Sequence, residues 1–135
     1  MLAYGQSDPT NNNFNNYKWT TNQTSLQDFD IIARVQVPES FTSLQAVPLT
    51  FVYKTDTALA TDNVVDVSVE DTAGNPVTIT GGSALTSATF ATTGITFTGA
   101  PTFTPGQQFT IKIKLAAKNT GAAYAGRFTF NYNGR

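Results

Sequence analysis

Polar and apolar residues alternate most strictly along residues 105–116, where Phe109, Ile111, Ile113 and Leu115 fall on one side and Thr110, Lys112 and Lys114 on the other. A period of two opened by Pro105-Gly106 predicts a β-strand with one buried and one wet face. Such a face needs a second layer about 10 Å away, and several other stretches can supply it. Residues 28–37 alternate Phe29, Ile31, Ala33, Val35 and Val37 with Asp30, Ile32, Arg34 and Gln36, and Pro38 ends the run. Residues 48–55 place Leu49, Phe51 and Tyr53 together, residues 64–70 turn Val65, Val67 and Val69 inward, and residues 127–133 do the same with Phe128, Phe130 and Tyr132.

Shorter strands are expected at 17–21, 77–80 and 87–97, with Gly94 read as a bulge in the last. Asp71 to Pro76 has the residues of a tight turn, so 64–70 and 77–80 form a hairpin. Residues 38–48 read as a connection holding one helical turn, with Phe41 and Leu44 plugging the core. Residues 56–62 and 118–126 read as loops. About eight strands with almost no helix predict an all-β, antiparallel β-sandwich of jelly-roll type.

Residues 1–16 have no periodicity and a dense run of Asn, which predicts an extended arm outside a single domain spanning 17–135. An arm of this kind is fixed only by another surface. It is expected to lie across an adjacent copy or a capsid partner, with Leu2, Tyr4 and Phe14 as its contacts.

Composition narrows the chemistry. The 135 residues include no histidine and no cysteine, which removes the usual general base near neutral pH, thiolate chemistry and the commonest zinc ligands. A net charge of −1 favours neither nucleic acid nor an anionic membrane surface. Charged residues are only 13%, about half the usual share, so Thr, Ser, Asn and Gln must cover the surface. No apolar run of signal-peptide length opens the sequence, from which a product made without a cleavable signal is expected.

Four groups of side chains bear on function. Asp62, Asp66, Glu70 and Asp71 are the densest carboxylates, of the type that a calcium ion uses. The alternation, however, puts Asp66 and Glu70 on a wet strand face and Asp71 at a turn, so no metal site is expected. Asp28 and Asp30 share a strand face beside Arg34 and read as solvated charges, which leaves no catalytic pair. Lys112 and Lys114, with Lys118 nearby, make a short basic row that reads first as a solvated sheet face and second as a contact for phosphate or an acidic partner face. Tyr17 and Trp19, with Tyr4 and Phe14, read first as a hydrophobic lid on the sandwich and second as aromatic area on which a glycan ring could stack, and Asn22-Gln23-Thr24 is a glycosylation sequon. No phosphate-binding glycine loop or nucleophile elbow is present, and no cofactor is expected.

The succession DFDIIARVQVP, LTFVYKT, VVDVSVEDTAGNPVTITGG, TFTPGQQFTIKIKLAA and GAAYAGRFTFNY resembles small jelly-roll modules of virion surface proteins, of the tail-fibre and capsid-decoration type, over about Asp28 to Tyr132. The resemblance implies a non-enzymatic structural part of a symmetric assembly at the virion surface. Its partners would be copies of itself and capsid or tail proteins, and neither nucleic acid nor membrane. Two alternatives stand beside it: a carbohydrate-binding module using Tyr17 and Trp19, and an extracellular filament subunit whose arm completes a neighbour's sheet.

Overall fold

The computed structural model describes residues 1–4 and 16–135. Among them there is no helix, and nine strands follow in order: β1 Leu2–Tyr4, β2 Tyr17–Thr20, β3 Gln27–Gln36, β4 Phe41–Thr55, β5 Asn63–Glu70, β6 Pro76–Thr80, β7 Ala91–Thr98, β8 Gln108–Ala117 and β9 Ala122–Gly134. All neighbouring pairs are antiparallel. The spatial order is β1-β2-β9-β4-β7-β6-β5-β8-β3.

That order folds into two layers. β2-β9-β4-β7 is one four-stranded sheet with β1 added at its edge, and β3-β8-β5-β6 is the other. Except for the β5–β6 hairpin and the β1–β2 pair, each successive strand lies in the opposite layer, which is the winding of a jelly roll. β6 forms the corner, because Val69 and Glu70 face Val77 and Pro76 while Thr78, Ile79 and Thr80 pair with Thr98, Phe97 and Thr96 of β7.

Burial explains the roll. Phe109, Ile111, Ile113 and Leu115 of β8 and Val65, Val67 and Val69 of β5 form one wall, and Leu49, Phe51, Ile95, Ala123 and Ala125 form the other. Aromatic rings fill one end. Phe103 stacks on Phe97 at 5.5 Å, and Phe130 approaches Phe109 at 4.9 Å and Phe103 at 6.1 Å. The alternating segments therefore form the strands that their patterns predict, and Asp71–Asn75 is the turn of the β5–β6 hairpin.

Four expectations are corrected. Residues 41–48 hold no helical turn: they extend β4, and between Leu44 and Leu49 the strand carries extra residues relative to Tyr132 and Phe130. Ala122–Ala125 is strand rather than loop, because Ala123 and Ala125 are small enough for the two layers to close over them. A bulge at Gly126-Arg127 then restores the inward direction of Phe128 and Phe130. Gly94, by contrast, is no bulge and lies in uninterrupted register with β4. Its carbonyl lies where a Cβ on Gly81 would sit, and Gly81, at φ +88°, is the position that requires glycine.

The fourth correction concerns the arm. Its first residues belong to the domain's own sheet: Leu2, Ala3 and Tyr4 pair with Trp19, Lys18 and Tyr17, and Leu2 packs on the core. Apolar contact at Leu2 beside a paired backbone offsets the ordering entropy that an Asn-rich composition alone could not. Phe14 lies outside the described residues.

Candidate interaction surfaces

The outer face of the β3-β8-β5 layer is a ladder of charges with one apolar rung. Register sets its rows: Asp30, Lys114 and Asp66 lie side by side, then Ile32, Lys112 and Ser68, then Arg34, Thr110 and Glu70. Lys112 Nζ lies 3.6 Å from Asp30 and Lys114 Nζ lies 3.3 Å from Asp28. The lysines stand on the wet face, as the alternation predicts, and each is answered by a carboxylate of its own sheet. Ile32 is 62% exposed at the centre of this ladder. It lines a shallow groove with Arg34, Ser68, Glu70, Thr110 and Lys112.

The opposite outer face is basic. Tyr124 of β9 sits between Lys18 of β2 and Lys54 of β4, with the two ammonium groups 5.7 and 4.7 Å from its ring centre. Phe90 meets the same ring edge-on at 6.0 Å. The Tyr124 hydroxyl donates to Asp56 at 3.2 Å. Burial, helped by the Asp56 charge, pushes its pKa up to about 12, so the phenol stays a neutral donor.

The four carboxylates that resemble calcium ligands are sent to separate tasks. Asp62 pairs with Lys118 at 3.4 Å. Asp66 accepts the Ala84 N–H at 2.7 Å, and Glu70 stays on the ladder. Asp71 ties two loops together, since Oδ1 accepts from Ala73 and Asn75 and Oδ2 accepts from Thr102 at 3.0 Å. The Thr102 N–H is the main cause of a lowered Asp71 pKa, opposed by burial and aided by the other amides. Among the described residues no three such side chains converge on a cation position.

Tyr17 and Trp19 do not form an open platform. Both point to the inner side of β2, opposite Ala125 and Ala123. Trp19 stacks on Phe29 at 5.4 Å and its indole N–H donates to the Gln27 carbonyl at 3.0 Å, so its ring closes the gap between the two layers. Tyr17 remains 41% exposed at the edge, where Tyr4 is its register partner.

One end of the roll gathers three loops, and sequence reasoning missed how firmly they are held. The Lys118 N–H donates to the Asp62 carbonyl, Asn119 to that of Gln23 and Thr120 to that of Thr21. Buried Asn63 accepts from the Thr57 N–H and donates to Thr57 Oγ1 and the Leu59 carbonyl. The signal available was the polar first residue of an otherwise all-valine face. This network presents Leu59 at 60% exposure on a fixed loop.

Comparisons with protein-family models, with curated proteins and with solved structures find no match to this chain.

Proposed function

We propose that the chain is a virion structural module, a capsid decoration or cement subunit or a tail-fibre segment, which works by assembly and without catalysis. The observation that carries this reading is the strand order, since β2-β9-β4-β7 packed on β3-β8-β5-β6 is an architecture used by viral capsid domains. Opposed outer faces support it. Lys18 and Lys54 dominate one layer's exterior, while Asp28, Asp30, Asp66 and Glu70 outnumber Arg34, Lys112 and Lys114 on the other, so copies or capsid partners of either sign find a complementary face.

Jelly rolls also serve as lectins, but here Trp19, the largest candidate for sugar stacking, is committed to closing the layers. A donated-strand filament is likewise disfavoured, because β1 pairs within its own chain. Electron microscopy of the full chain, alone and mixed with capsids or tails of candidate phages, tests the reading. Ordered self-assembly or stoichiometric decoration supports it. A dispersed monomer that decorates no particle but is retained on an immobilised neutral glycan overturns it in favour of the lectin.

A further inference from the structure

Among the described residues β3 is a ten-residue edge strand paired only with β8. Proteins blunt such edges with proline, a bulge, a short length or charges, and of these β3 carries the charges Asp28, Asp30 and Arg34. β3 has neither proline nor register break between Gln27 and Gln36, and it exposes Ile32. The other sheet edge, β1, is three residues long among the described residues.

We propose that β3 pairs antiparallel with β3 of a second copy, about a twofold axis through Ile32, joining two four-stranded layers into one. The charges select the occupant and the register. Side chains on the same face require Asp28, Asp30, Ile32, Arg34 and Gln36 to meet one another. Centring the axis on Ile32 places Asp30 opposite Arg34 twice, Asp28 opposite Gln36, and Ile32 against itself. Moving the centre to Asp30 or Arg34 sets like charges together, and centring on Ile31 or Ala33 sets Ile32 against a charge. Directly opposed unlike charges stabilise an antiparallel pair and like charges destabilise it.

The inner face agrees, with Phe29 opposite Val35 and Ile31 opposite Ala33. The pairing ends at Gln27, whose partner would be Val37, because the Gln27 carbonyl already accepts the Trp19 indole N–H and Val37 already bonds Gln107 and Gly106. The Val37 N–H bond to the Gln107 carbonyl fixes the parity. Odd-numbered residues of β3 are turned to β8 and even-numbered ones to the free side, so Ile32 falls at a hydrogen-bonded pair, whose Cα separation of about 5.5 Å is within reach of a disulfide.

This interface rests on the reading of the chain as an assembling module, and it has its own test. The native chain has no cysteine, so Ile32→Cys carries a single thiol. Under mild oxidation of the full-length variant it is expected to form a disulfide dimer, whereas Asp30→Cys and Arg34→Cys, each displaced from the axis, are not. In sedimentation, Arg34→Asp is expected to weaken dimerisation of the cysteine-free chain by about tenfold or more, and the swap Asp30→Arg/Arg34→Asp to restore it. Failure of Ile32→Cys to cross-link, equal cross-linking at position 34, or no recovery in the swap overturns the pairing. If ordered particles form without that cross-link, only this interface falls; a chain that neither cross-links nor assembles takes the assembly reading with it.

Discussion

Trp19 lies on Phe29 with ring centres 5.4 Å apart, and this contact joins two strands, β2 and β3, that share no backbone ladder. It stands where the roll is open. The indole adds one hydrogen bond, to Gln27, so its removal loses both apolar area and a cross-layer tie. Trp19→Ala is expected to lower stability by about 3–5 kcal/mol, and Trp19→Phe by less, read from chemical denaturation. Equal stability of Trp19→Ala and the native chain would mean that the layers close without it.

Asp71 is expected to show its contribution as a pH dependence. Its folded pKa lies below the ordinary value of 3.8, so the stabilisation is complete above that value and is lost as pH falls through the lower, folded pKa. Asp71→Ala leaves three amides without their acceptor and is expected to cost about 2–3 kcal/mol at pH 7. The gap between variant and native chain should shrink in acid. A gap that is the same at pH 7 and at about pH 2 would show that the charge plays no part.

Tyr124 gives the opposite sign. Its pKa is raised from 10.0 to about 12, so the folded chain keeps the phenolic proton where the unfolded chain has lost it. Stability due to this group is therefore full below pH 10 and declines up to about 12. Tyr124→Phe is expected to flatten that alkaline limb. An unchanged alkaline slope in the variant would assign the effect elsewhere.

The turn at Lys118–Gly121 holds Asn119 at φ 53° and Thr120 at φ 63°, closed by the Gly121 N–H on the Lys118 carbonyl at 2.9 Å. Left-handed backbone is unfavourable for a β-branched residue by roughly 1–2 kcal/mol. Thr120→Gly produces the Asn-Gly pair preferred in such turns and is expected to raise stability by about 0.5–1 kcal/mol, after the entropy that glycine adds to the unfolded chain. A lower melting temperature would show that the Thr120 side chain outweighs its backbone strain.

Much of the fold was legible because burial on one face forces a period of two. The runs at β3, β5 and β8 kept that period without interruption, and their inner and outer faces are those the alternation predicts. The period failed where a bulge resets it. Gln45–Pro48 and Gly126-Arg127 each shift the register of β4 against β9, so the first looked like a connection and the second like the end of a loop. Ala122–Ala125 was obscure for another reason: alanine has little strand preference, and only the opposite layer's approach favours it there. The surfaces were harder still. Lys112 and Lys114 look free along the chain, and the carboxylates that answer them come from a strand about eighty residues away in sequence that only the roll brings alongside.

The central claim is that this jelly roll exists to assemble, and sedimentation velocity of the full chain from about 1 µM to about 1 mM tests it most directly. The expected result is a sedimentation coefficient that rises with concentration to a defined oligomer or polymer. A single monomeric species of 14.5 kDa across the whole range, unchanged when particle proteins are added, would contradict it.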